Sequence, residues 1–264
     1  MPRRAMRIAT WNVNSLRVRL PQVLGLAASA SPDVLALQET KLADAEFPRA
    51  DLEAAGYRVA FAGQKTYNGV ALLARGELAD PASELPGAPD PQRRFLAATV
   101  GGVRILDVYV PNGESVGSEK YAYKLAWMER LRDAVAGELS RHDDLVLLGD
   151  FNVAPEDRDV HDPELWRGQV LCSEPEREAL RRICEVGLVD VFRRFDQPAN
   201  EFSWWDYRMA GFRRNRGLRI DLILASKPLA ARCTACRIEK EPRRQERPSD
   251  HAPVIADFSP PGSS

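Results

Sequence analysis

In this chain of 264 residues, the side chains best suited to chemistry stand where apolar runs begin or end. Asn12 follows the run 7–11, Glu39 follows 33–38, and Tyr109 and Asn112 close 103–110. Asp150 and Asn152 follow 145–148, Asp221 lies at the start of 220–224, and Asp250 and His251 precede 254–258. A polar group at the rim of a core sheet is held rigidly yet reaches solvent. Taken singly, an Asp or Asn after a strand is a turn former, a lone Glu39 is a solvated side chain, and an Asp-His pair is a structural hydrogen bond. Taken together, these residues supply carboxylates, amides, one imidazole and one phenol. Hard oxygen donors with little sulfur suit Mg²⁺, with Mn²⁺ as the second choice, better than zinc.

The formal net charge is −1, but it is unevenly spread. Residues 143–164 carry eight acids against one arginine, and 201–250 carry twelve bases against seven acids. An acidic pocket beside a basic rim suits a metal-dependent enzyme acting on a polyanion, and plain clustering of surface charge is the other reading. Cys172, Cys184, Cys233 and Cys236 are too scattered for a disulfide framework, and the lone CxxC of Cys233 and Cys236 reads as core packing. No segment approaches the roughly 20 apolar residues of a membrane span. The start lacks an apolar leader core, so a cytoplasmic location is expected, with Met1 or Met6 as the native first residue.

Helical patterns alternate with the apolar runs. The clearest covers 118–139, where Tyr121, Leu125, Met128, Leu131, Val135 and Leu139 share a face. A second opens at Ser173 with Glu176 three residues on, a capping-box spacing, and stops at Gly187. A weaker one covers 16–29. Strands and helices mixed along the whole length predict a layered α/β fold. The Pro-rich stretch 81–91 reads as a loop, 1–258 as a single domain, and 259–264 as a disordered tail.

With these segments in view, the chain resembles the exonuclease III/AP endonuclease group of the endonuclease/exonuclease/phosphatase superfamily. The matching segments are TWNVNSLR (10–17), LQETK (37–41), VYVPNG (108–113), GDFNV (149–153), FSWWDYR (202–208), NRGLRID (215–221) and PSDHAPV (248–254). They span nearly the whole chain in the family's order. Asn112 stands where some bacterial members carry glutamine, and 158–169 has no clear counterpart.

The resemblance implies a four-layer α/β sandwich, two packed mixed sheets flanked by helices. It implies Mg²⁺-dependent cleavage of double-stranded DNA at abasic sites and at 3′ ends, by a monomer. By position, Glu39 would be the principal metal ligand, with Asn12 in support and Asp250 at a second metal position. Asp150 would orient or deprotonate the attacking water, with Asn152 beside it on the phosphate; Asp150, Asn152 and His251 also count as candidate metal neighbours. Tyr109 and Asn112 would contact phosphate oxygens. His251 would bind phosphate as a cation held by Asp221. Trp204, Leu218 and Ile220 would line a pocket for a base-free sugar, and Arg208, Arg213, Arg214, Arg216 and Arg219 would grip the DNA backbone. A pentavalent phosphorane concentrates charge on oxygen, and a divalent cation, an imidazolium and amide donors all stabilise it. A phosphatase or phosphodiesterase acting on a non-DNA ester is the alternative on the same fold. A catalytically silent DNA-binding module is a third reading, but it requires the loss of catalytic positions that are all present here.

Overall fold

The computed structural model describes residues 5–87 and 90–262. The runs named above and the further apolar run 69–73 form strands with ends moved by no more than two residues: β1 Met6–Asn12, β2 Val34–Gln38, β4 Val70–Ala74, β7 Val103–Tyr109, β8 Leu145–Asp150, β12 Asp221–Ser226 and β14 Val254–Phe258. Pattern reading passed over β3 Arg58–Ala62, β5 Ala79–Ala82, β6 Phe95–Val100, β9 Leu188–Asp190 and β13 Cys233–Ile238. Two short strands, β10 Trp204–Trp205 and β11 Gly217–Leu218, make a separate ribbon. The helices are α1 Leu16–Ser29, α2 Arg49–Ala54, α3 Glu119–Leu139, α4 Pro163–Trp166, α5 Glu174–Glu185 and α6 Lys227–Ala231.

One six-stranded sheet runs β13-β14-β1-β2-β4-β3 and the other β5-β6-β7-β8-β12-β9. Each contains one parallel pair, β1 with β2 and β7 with β8. Parallel neighbours need a crossover, and α1 and α3 supply the two. Alternate residues of each central strand face different layers. Val146 and Leu148 of β8 pack between the sheets with Ile8, Leu72 and Ile105, while Leu145 and Leu147 pack against α3 and α5. On the other side Leu35 and Leu37 pack under α1 with Val23 and Leu26. Burial on both faces explains why these strands read as unbroken apolar runs. The result is the expected four-layer sandwich.

The caps follow the sequence. Ser118 Oγ accepts from the Tyr121 amide, and the Ser173/Glu176 capping box is formed. Cys233 and Cys236 pack in the core between the sheets, and burial pushes the Cys233 thiol up to about 11. Two expectations need correction. Pro81 belongs to β5, at the outside edge of its sheet where a missing N–H costs least, so the stretch 81–91 is not all loop; positions 88–89 lie outside the described residues. The tail does not leave the body at residue 259, because the Ser259 amide donates to the Arg232 carbonyl and Arg232 donates back. Ser263 and Ser264, like residues 1–4 with the Met1 alternative, lie outside the described residues.

Candidate active site

Strand register brings the polar rim together. Asn12 pairs with Gln38, the neighbour of Glu39; Tyr109 and Asp221 both pair with Asp150; and Thr10 pairs with Val254, just beyond His251. Both parallel pairs therefore end at one edge of the sandwich. Gly149 makes this possible. Its φ is +140°, and a Cβ there would lie 1.9 Å from the Val108 carbonyl oxygen, so only glycine lets β8 pass β7 before delivering Asp150.

Asn12 Nδ2 donates to Glu39 Oε1 and to Asp150 Oδ2, each at 2.8 Å. One amide thus holds carboxylates from the two sheets. The Asn152 backbone amide donates to Asp150 Oδ1 at 2.9 Å, and Asn152 Oδ1 accepts from Asn112 Nδ2 at 3.1 Å. Glu39 and Asn152 adopt left-handed backbone conformations, φ +52° and +49°. Asn tolerates that region; for Glu39 it is a local strain that turns the carboxylate into the site.

His251 is buried, with Nδ1 2.9 Å from Asp221 Oδ2 and Nε2 3.7 Å from Asp150 Oδ2. Burial alone would lower its pKa, but Asp221 and Asp150 outweigh it and lift the imidazole to about 10. Asp150 is pushed up to about 7 by burial, against the pull of His251. Burial and the Glu39 and Asp150 charges raise the Tyr109 phenol well above its usual range, so it stays a proton donor. Ser203 Oγ donates to Asp221 at 2.6 Å and fixes that carboxylate in turn.

Ligand atoms of Glu39, Asp150 and His251 lie within 4.8 Å of one another, and with His251 protonated the two carboxylates are the members of the group able to hold a metal ion. The donor chemistry fits a hard cation, and the site already attracts one: Lys41 Nζ stands 2.8 Å from Glu39 Oε2. Asp250 is not in this group. Its carboxylate accepts from Trp204 Nε1 at 3.0 Å and Asn14 Nδ2 at 2.9 Å, so its oxygens serve the loop rather than the cluster.

The sugar pocket and the arginine rim come out differently from expectation. Leu218 and Ile220 are fully buried, packed with Val160, Leu171 and Cys172, so they form a floor rather than an open lining. Trp204 is half-buried, and the Trp166 ring meets it edge-on at 6.5 Å. The segment without a clear counterpart thus lies against Trp204. Arg213, Arg214 and Arg216 are exposed as expected, and Arg208 is exposed but paired with Asp206. Arg219 is not part of any rim. It is 1% exposed and paired with Asp159 and Asp190, and the two carboxylates compensate the burial of its charge.

Sequence reasoning missed Arg94, whose guanidinium lies 4.6 Å over the Tyr109 ring. With Lys120 and Asn112 it lines a cavity of about 550 Å³ beside the cluster. The run Gln92-Arg93-Arg94 before β6 was the available signal.

A rim of carboxylates, amides and a charged histidine at one edge of a four-layer sandwich defines a metal-assisted phosphoester hydrolase. The Endonuclease/Exonuclease/phosphatase family model matches residues 9–251. The chain is 38% identical to exodeoxyribonuclease III of Haemophilus influenzae, over 96% of this chain and all of the relative. Among solved structures, a Neisseria 3′ phosphatase, NExo, bound to product DNA hairpin superposes with a TM-score of 0.95 at 49% identity, covering 97% of this chain and all of that one. An AP endonuclease from Archaeoglobus fulgidus gives 0.92 at 41%, covering 96% and 99%. The chain belongs to this family, in its exodeoxyribonuclease III/AP endonuclease branch, and is a hydrolase of the nuclease kind.

Proposed function

We propose that this protein is a Mg²⁺-dependent DNA-repair nuclease whose main substrate is the 3′ end of duplex DNA. The observation that carries the reading is the junction of Glu39, Asp150 and His251 under Asn12, with Asp221 behind the imidazole. Glu39 would be the principal ligand of the cation, with Asp150 beside it, and the cation would supply charge for the developing phosphorane. His251, as imidazolium, donates to a non-bridging phosphate oxygen. Asp150, with a pKa of about 7, is suited to orient a water and take its proton near neutral pH. The Tyr109 phenol and the Asn112 amide donate to the same phosphate, Asn152 orients Asn112 and Asp150 through its own side-chain amide, and Arg94, Lys120, Arg213 and Arg214 grip the backbone.

Three points favour 3′ ends over internal abasic sites. Trp166 crowds the exposed side of Trp204, and Leu218 and Ile220 are sealed beneath it. One relative at 49% identity, NExo of Neisseria, is described as a 3′ phosphatase in one structure and as a 3′-5′ exonuclease in another. Incision at abasic sites is the second reading, favoured by the Archaeoglobus relative. The test is purified protein with Mg²⁺ on two duplexes, one with a recessed or 3′-phosphorylated end and one with an internal abasic analogue. Faster turnover of the end is expected; preferential cutting of the abasic strand overturns the preference. Activity in excess chelator would remove the metal from the mechanism. The same preparation, weighed in solution with and without duplex, tests the expected monomer.

A further inference from the structure

Lys124 sits on α3 with no exposed surface, where a charged side chain is costly unless fully paired. Its three donors all find acceptors. Nζ donates to the Asn152 carbonyl at 2.7 Å, to the Asn112 carbonyl at 3.0 Å and to Glu176 Oε1. Glu176 is itself fixed by the amides of Leu171 and Ser173 and by the Ser173 hydroxyl. Lys124 thus joins the loop after β7 to the loop after β8, and the same two residues meet again through their side-chain amides. Desolvation lowers the Lys124 pKa, and the Glu176 charge opposes this.

We infer that Lys124 is a positioning residue of the active site. It sets the Asn112-Asn152 amide pair by holding both carbonyls, without touching the substrate. An ammonium does this where other side chains fail, because three tetrahedrally placed donors reach two loops and a counter-ion at once. The tie also supports the left-handed turn at Asn152, whose carbonyl it receives. Displacing donors that must meet a transition-state oxygen is expensive even when the displacement is small. This inference rests on the proposed role of Asn112 as a phosphate donor oriented by Asn152.

The test replaces Lys124→Met together with Glu176→Gln, so that no buried charge is orphaned. A second variant, Lys124→Arg, keeps the ion pair with Glu176 but offers a planar fork in place of the tetrahedral set. Leu131→Ala, a core truncation on the same helix seven residues beyond Lys124, controls for lost stability. On a 3′-phosphorylated duplex, kcat should fall about ten- to hundredfold in both Lys124 variants. KM and the calorimetric affinity for Mn²⁺ alone should stay within about twofold, and Leu131→Ala should keep its kcat. Combining either Lys124 variant with Asn152→Ala should add little to the Asn152 loss. In Asn-labelled protein without DNA, the side-chain amide resonances of Asn112 and Asn152 should move in the Lys124 variants and stay in place in Leu131→Ala. A folded Lys124 variant with kcat near wild type, losses that multiply, or unmoved amide resonances would each overturn the inference. An inactive wild type would instead overturn the proposed function, and the resonances would still decide the Lys124 tie.

Discussion

The Nδ1 atom of His251 stands 2.9 Å from Oδ2 of Asp221, while its Nε2 faces Asp150 Oδ2 at 3.7 Å. One imidazole therefore lies between two buried carboxylates and is kept protonated by both. If Asp221 acts by orienting and charging His251, the two residues form a unit. His251→Ala and Asp221→Ala should each lower kcat/KM by about 10²- to 10⁴-fold, and the double variant should be no worse than the weaker single one. Double-mutant kinetics on a 3′-end substrate check this. Losses that multiply would give Asp221 an independent role.

The same pair of groups predicts the pH profile. On the proposed roles Asp150 works as a carboxylate whose pKa burial lifts to about 7 without metal, so at low metal the rate should rise through about that pH as it ionises. His251 works as a cation, so the rate should fall through about pH 10 as it loses its proton. A divalent cation stabilises the carboxylate, and raising its concentration should move the acid limb downward. Profiles of kcat/KM at two Mn²⁺ concentrations would measure this; an acid limb indifferent to the metal would separate Asp150 from the metal site.

The arginines divide by burial. Arg219→Ala would leave buried Asp159 with Arg193 alone and partly exposed Asp190 without its arginine, a loss of up to about 3–5 kcal/mol in stability. Arg213→Ala with Arg214→Ala should leave the melting temperature almost unchanged. It should weaken duplex binding and reduce the slope of log affinity against log salt by up to about 1.8, two phosphates' worth. Melting curves and a salt titration separate the two cases. A salt slope untouched by the double change would place DNA elsewhere.

Asp107 carries a different pH signature. It is wholly buried, and its Oδ1 accepts from Gln38 Nε2 at 2.7 Å. Among the described residues its Oδ2 makes no hydrogen bond of ordinary geometry, and the Ala71 backbone amide only partly opposes the effect of burial. Burial raises its folded pKa well above the usual value, so the folded protein favours the neutral acid. The sign follows: its stabilising contribution is full below the unfolded pKa of about 3.9 and is lost as pH rises toward the folded pKa. Asp107→Asn removes this titration. The variant should gain about 1–3 kcal/mol over wild type at pH 8, and the gain should shrink toward pH 4. Denaturant melts across that range test it, and a pH-independent difference would refute the neutral-acid reading.

Much of this was legible in the chain. Runs buried on both faces announce central strands, and the 118–139 periodicity and the Ser173/Glu176 box announce helices, because these signals are local. The place of the candidate rim was legible for the same reason: Asn12, Glu39, Asp150 and His251 each follow or precede a run in sequence. Edge strands such as β5 and β13 were not, since half-exposed strands carry mixed residues and β5 even contains a proline.

Tertiary structure alone decided which side of a strand or turn each polar residue faces. Arg219 sits among exposed arginines in sequence yet is turned inward to two aspartates from distant segments. Leu218 and Ile220 are covered by residues far along the chain, so their apolar character could not tell a pocket lining from a floor. Lys124 lies within an amphipathic helix pattern that gives no reason to bury it, and its three acceptors come from three other segments. Local spacing fixes the elements and the ends where chemistry can stand. The facing of a side chain depends on long-range packing, and its protonation on the charges that packing brings near.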